Sequence, residues 1–139
     1  MKKYLIPKLI GLALLTMVCL VLLSFIEVAI YSYLINPGHP EAYYEKHAEI
    51  TAPYISGLFG FLIFFMVSRY WTKKPLSHAF QLSLYFPITY FAIDFIIITL
   101  AVGIGMPGFA LIFLVANSAK FLGSILGHWL TQKSLSKTA

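Results

Sequence analysis

The chain has 139 residues, of which 60% are hydrophobic and only 11% are charged, and its formal net charge is +5. Soluble domains carry about 25% charged residues, so this composition excludes an ordinary soluble domain. The basic residues form no continuous basic face, and we expect no nucleic-acid partner. Cys19 has no second cysteine to pair with, and no metal-binding or nucleotide-binding motif predicts a cofactor. The composition therefore predicts an all-α, multi-pass integral membrane protein in contact with the lipid bilayer.

Four apolar stretches are each long enough to cross a membrane, which takes about 20 residues in a helix. They cover residues 9–34, 51–71, 76–102 and 107–130. The first stretch is longer than the apolar region of a signal peptide, and we interpret it as a retained span. The sequence thus predicts a single domain, residues 1–139, built as a bundle of four transmembrane helices.

The first and second spans are joined by an acidic segment. Residues 36–40 have the composition of a turn, and Pro40 suits the first position of a helix. Glu41, Glu45 and Glu49 then recur at every fourth residue, which places them on one face of a helix over residues 40–50. This extracytoplasmic face is either simply solvated or binds cations or a partner's basic surface.

The distribution of Lys and Arg predicts the orientation, because short basic loops stay in the cytoplasm. Basic residues flank the predicted spans before the first helix, between the second and third, and after the fourth: Lys2, Lys3, Lys8, Arg69, Lys73, Lys74, Lys133 and Lys137. The remaining connections are the acidic segment and the uncharged 103–106 turn. We therefore expect both termini in the cytoplasm, in a bacterial cytoplasmic membrane.

Three ionisable residues fall inside the predicted spans, where each costs several kcal/mol and marks a candidate functional site. Glu27 and Asp94 lie about 10 Å and about 12 Å from the same end of their helices, at a rise of about 1.5 Å per residue. Lys120 lies deeper, and its flexible stem can reach toward them. The predicted intramembrane polar site consists of these residues and of polar neighbours on the same helical faces: Glu27, Tyr31, Tyr90, Asp94, Asn117 and Lys120.

Small residues spaced four apart predict close helix contacts, because they let two backbones approach within a membrane. The pairs are Ser56 with Gly60 and Gly123 with Gly127. Pro87 interrupts the third span and frees the backbone carbonyl one turn earlier. Since four helices enclose little interior for three charges, we also expect a homo-oligomer or a partner within a membrane complex.

Two carboxylates and one ammonium leave a formal charge of −1, which a proton, a metal ion or a cationic substrate would balance. This predicts proton-coupled or cation-linked transport or binding of a small molecule. One alternative is a noncatalytic membrane subunit or scaffold whose buried charges fix helix packing. Another is a membrane-embedded enzyme acting on a lipid-soluble substrate, although the sequence identifies no catalytic residue. Haem ligation by two of the histidines, His39, His47, His78 and His128, is also left open.

Overall fold

The computed structural model describes residues 5–74, 78–101 and 109–137. Its four α-helices are α1 (Leu5–Ile30), α2 (Glu41–Lys73), α3 (Ala79–Ala101) and α4 (Phe109–Leu135). A π-helical turn (Tyr31–Ile35) continues α1 at its C-terminal end. All four are long and apolar enough to cross a membrane. The prediction of an all-helical chain with four apolar helices is confirmed.

Some predictions concern residues outside the described ranges. They involve Lys2 and Lys3, the start of the third span near Leu76, the 103–106 turn and the start of the fourth span at Pro107.

The connection between α1 and α2 is a short turn held by polar side chains. Gly38 takes a φ of 92°, a left-handed conformation that glycine adopts without a steric penalty. Asn36 donates a hydrogen bond of 2.9 Å to the Tyr43 hydroxyl, and the Tyr44 hydroxyl donates one of 2.8 Å to the Asn36 carbonyl. α2 then runs for 33 residues, so the acidic segment and the apolar span form one continuous helix.

Helix α1 buries only a narrow stripe. Its buried residues are Leu9, Ala13, Thr16 and Leu20, which lie three or four residues apart and therefore on one face. They contact an aromatic core in which the rings of Phe64 and Phe86 stack with their centres 4.2 Å apart. Most of the other large side chains of α1 are exposed, as expected of a helix that packs on one side only.

Most hydroxyl groups inside the described part of the bundle are hydrogen-bonded within the protein, and the buried Thr99 hydroxyl is an exception. Thr16, Ser24, Thr89 and Thr131 each donate to the carbonyl four residues earlier in their own helix. Pro87 provides no N–H for the Ser83 carbonyl, and the Ser124 hydroxyl of α4 donates to that oxygen instead. The carbonyl that the sequence predicts to be freed is thus used to join α3 to α4.

The most extensive helix contact is between α2 and α4, which run parallel. A Cβ atom at Gly123 would collide with the carbonyl oxygen of Phe61, and one at Gly127 with that of Phe65. Gly60, on the opposite helix, faces the aliphatic stem of Lys120. Three of the four predicted contact residues therefore lie between α2 and α4, and the fourth, Ser56, borders a cavity described below.

The glycine contact predicts a difference between two Gly→Ala variants. We expect Gly123→Ala to lower the free energy of unfolding in detergent by about 1–3 kcal/mol, because the added methyl group meets rigid backbone. Gly11→Ala, at a position with open space around it, should change stability by no more than about 1 kcal/mol and in the favourable direction. Thermal unfolding of both variants tests this, and equal effects would contradict a close contact at Gly123.

Candidate functional site

Asn117 connects a half-buried carboxylate on α3 with a buried ammonium on α4. Its Nδ2 donates to Asp94 Oδ2 at 3.1 Å and to the Phe113 carbonyl at 3.0 Å. Its Oδ1 accepts a longer hydrogen bond, 3.5 Å, from Lys120 Nζ. The amide therefore bridges the two charged groups, which form no direct salt bridge in the described part of the chain. Sequence reasoning placed these three residues in one site, and the structure brings them together.

Lys120 is only 1% exposed, which is unusual for a charged side chain. Its stem packs against Gly60, where any larger residue would overlap it. Its Nζ lies 4.6 Å from the centre of the Tyr90 ring, within range of a cation–π interaction. The α2–α4 contact thus holds the stem while Tyr90 and Asn117 face the charge.

A cavity of about 360 Å³ lies between α2, α3 and α4 and exposes this polar group. Asp94, Asn117 and Lys120 contribute to its wall from α3 and α4, and Ser56 contributes from α2. The volume is at the lower end of the roughly 300–1,000 Å³ typical of ligand pockets. The cavity occupies the half of the bundle nearest the α1–α2 connection and could hold a small molecule.

Glu49 also lines this cavity, from the first turns of α2. Its carboxylate makes no hydrogen bond or ion pair with any residue that the structure describes. Pro53, which borders the same space, has no N–H to offer the Glu49 carbonyl four residues earlier. Glu49 thus brings a carboxylate to the cavity, together with a carbonyl that lacks its usual helical donor.

Glu27 belongs to a different cluster, between α1 and α2. Its Oε1 accepts a hydrogen bond of 2.8 Å from His47 Nε2, and its Oε2 accepts one of 3.0 Å from the Thr51 hydroxyl. The Tyr31 ring stacks on the His47 imidazole with their centres 3.6 Å apart. Of the predicted polar site, Glu27 and Tyr31 therefore lie together but away from the cavity that Asp94 and Lys120 line.

The three glutamates of the predicted acidic face of α2 have different surroundings. Glu41, Glu45 and Glu49 are all exposed, as residues on one solvated face would be. Of the three, Glu49 alone borders the cavity. Sequence periodicity places it with the other two but contains no signal that α3 and α4 approach it.

A second polar group joins α2, α3 and α4 in the opposite half of the bundle. The Ser68 hydroxyl donates to Ser83, and Ser124 donates to the Ser83 carbonyl. Nearby, the Thr72 hydroxyl and His128 Nδ1 lie 2.8 Å apart and share a hydrogen bond. Ser68 and Thr72 cannot be recognised from the sequence, because short hydroxyl side chains within an apolar helix give little signal by themselves.

Three of the histidines contact other polar or aromatic side chains among the described residues. His47 is bonded to Glu27 and His128 to Thr72, at opposite ends of α2. His39 stacks on Tyr43, with ring centres 4.3 Å apart. No group of three or more His, Cys, Asp or Glu side chains suited to a metal ion occurs within the described ranges.

The bridged charges predict that single and double neutralisations differ in stability. At a pH at which Asp94 is ionised, Asp94→Asn should lower the free energy of unfolding by about 3–5 kcal/mol, because it leaves the buried Lys120 ammonium without an opposite charge. The double variant Asp94→Asn/Lys120→Met should recover most of that loss. Thermal unfolding in detergent measures both, with exposed Glu45→Gln as the control. Losses that simply add would show that the two groups are not coupled.

Comparisons with known proteins identify no relative from which a role could be taken. No protein-family model, no curated protein and no solved structure matches the chain. The features that bear on function are therefore the cavity, the Asp94–Asn117–Lys120 group that lines it, and the Glu27–His47 cluster.

Proposed function

We propose that the chain binds a small cation in the cavity and exchanges it for a proton on Asp94, which makes it a cation-linked carrier in the membrane. The observation that supports this most is the charge of the cavity wall. Glu49 and Asp94 supply two carboxylates, and Lys120 supplies one ammonium. The formal charge of the wall is therefore −1, which favours a cation or a proton in the space between them.

The arrangement gives each residue a distinct role. Asn117 holds the Asp94 carboxylate through one oxygen, and the other oxygen is available for a proton or for the cation. Lys120 supplies a fixed positive charge near the same carboxylate, so a bound cation is attracted less strongly than it would be by two carboxylates alone. Binding that is favourable yet reversible is what a carrier requires, since the cargo must also leave.

Insertion in a membrane is supported by the distribution of apolar surface. Large side chains such as Phe25, Leu34 and Leu100 are 68%, 78% and 83% exposed. Soluble proteins rarely expose apolar patches of that extent, whereas lipid covers them without cost. Together with the basic flanks, this supports a four-span protein of a bacterial cytoplasmic membrane with both termini in the cytoplasm.

Cysteine labelling tests the proposed orientation. In a Cys19→Ser background, a membrane-impermeant maleimide should label Glu45→Cys in intact bacterial cells. It should label Ser136→Cys only after the cells are permeabilised, because the C-terminus lies inside. The unmodified protein, which retains Cys19, is a separate control. Cys19 is exposed on the side of α1 and should resist the reagent in both conditions, because lipid surrounds it. The reverse pattern would contradict the orientation, and labelling of both introduced sites in intact cells would contradict spanning.

Proton release tests the proposed exchange. In weakly buffered detergent solution, addition of tetramethylammonium to the purified protein should release protons, which a pH-sensitive dye detects. Asp94→Asn should abolish the release because it removes the exchanging carboxyl. Glu45→Gln, which removes an exposed carboxylate of α2 outside the cavity, should preserve it.

Two outcomes would contradict the proposal. Unchanged release by Asp94→Asn would show that another group carries the proton. Loss of release by Glu27→Gln, in a protein that still unfolds at the wild-type temperature, would move the exchange to the Glu27 cluster.

A noncatalytic scaffold is the second candidate, and the polar bridges between helices favour it. Asn117 and Ser124 each connect α4 to α3, and such contacts can serve packing alone. A scaffold would keep its function in the Asp94→Asn/Lys120→Met variant, whereas a carrier would lose cation binding. Cation binding by the wild type that is lost in the folded double variant would therefore favour the carrier, and absence of cation binding by both proteins would favour the scaffold.

A further inference from the structure

An apolar groove between α2 and α4 adjoins the charged cavity. Its volume is about 730 Å³, roughly twice that of the cavity. The two spaces share four residues of their walls: Glu49, Pro53, Ile112 and Ala116. Because the same side chains border both, the cavity and the groove adjoin at these residues.

The groove differs from the cavity in its chemistry. Its wall includes Tyr54, Phe61 and Val115, and Glu49 is its one ionisable carboxylate among the described residues. Glu49 lies where the two spaces meet, since it borders both. A molecule in the groove therefore contacts apolar and aromatic surface along its length and a carboxylate at one end.

We propose that the cation bound by this protein is amphiphilic: an organic cation whose positive group lies beside Glu49 and Asp94 and whose apolar body fills the α2–α4 groove. This inference rests on the proposed function and specifies its substrate class. A hydrophilic cation would leave the groove unused. An apolar anion of the same shape would meet the Glu49 carboxylate where the groove adjoins the cavity, so charge selects between them.

Small residues explain why this groove exists. A Cβ atom at Gly57 would lie 3.7 Å from the Ala116 Cα, so the helices are in contact there with little side-chain volume between them. Larger residues on either side, such as Phe61 and Leu111, then form walls around that contact. An acyl chain or a helix of a second copy would also fit an apolar groove, but neither would depend on a positive charge.

Two probes of matched shape and opposite charge test the inference. Tetraphenylphosphonium should bind the purified protein saturably in calorimetry, at least tenfold more tightly than tetramethylammonium. Tetraphenylborate, which has the same shape and a negative charge, should not bind saturably. Glu49→Gln should weaken tetraphenylphosphonium binding at least tenfold, and this exposed position should tolerate the change.

A variant that fills the groove tests the position of the apolar body. Ala119 borders the groove but not the cavity, and Ala119→Phe should weaken tetraphenylphosphonium binding at least tenfold while tetramethylammonium binding stays unchanged. Ser118→Phe, at the adjacent exposed residue that borders neither space, is the matched control and should bind both cations as the wild type does. Ala119→Leu serves the same purpose if the larger substitution lowers the unfolding temperature.

The outcomes separate this inference from the proposed function. Equal binding of tetraphenylborate, or wild-type tetraphenylphosphonium binding by a folded Ala119 variant, would overturn the amphiphilic cation. Tetramethylammonium binding with proton release but without tetraphenylphosphonium binding would overturn it too, while leaving the proposed exchange intact. Failure of both cations to bind would overturn the proposed function itself.

Discussion

The burial of the Lys120 ammonium is the constraint on which the rest of the bundle depends. A charged side chain within an apolar helix bundle costs several kcal/mol unless other groups compensate it. Here the compensation comes from three helices, because Gly60 of α2 accommodates the stem while Tyr90 of α3 faces the charge. Asn117 completes the arrangement by binding the Asp94 carboxylate and the ammonium at once. Any shift of α2 or α3 relative to α4 would disturb at least one of these contacts.

Proline and serine residues produce a further polar contact between helices. Pro87 deprives a carbonyl of its helical donor, and Ser124 of α4 replaces that donor, which converts a local defect into a helix contact. Pro53 likewise deprives the Glu49 carbonyl of its helical donor, at the edge of the cavity, but no described side chain replaces that donor. The half of the bundle with Pro87 and the serines joins three helices by hydrogen bonds, whereas the half with Pro53 holds the polar cavity. The site therefore combines a bonded polar group, Asp94, Asn117 and Lys120, with a Glu49 carboxylate that has no partner among the described residues.

The helices and part of the site follow from the sequence for simple physical reasons. Apolar runs of sufficient length predict four helices, and helical periodicity places Asn117 and Lys120 on one face of the fourth. Periodicity does not determine how far one helix rotates or slides relative to its neighbour. For that reason the sequence could not separate Glu27 from Asp94, although His47 and Thr51 lie one turn apart on the face of α2 that meets Glu27. For the same reason Glu49 could not be distinguished from Glu41 and Glu45, since only the approach of α3 and α4 makes it part of a cavity.

An amphiphilic cation is proposed to occupy the space bordered by Glu49, Asp94 and Lys120, with its apolar body in the adjoining α2–α4 groove. The most direct measurement is a crystal structure of the protein soaked with tetraphenylarsonium, whose arsenic atom can be located by its anomalous scattering. The predicted result is a single strong peak at the junction of the cavity and the α2–α4 groove, beside the Glu49 carboxylate. A peak elsewhere on the bundle, or an empty junction in crystals soaked at saturating concentration, would contradict the claim.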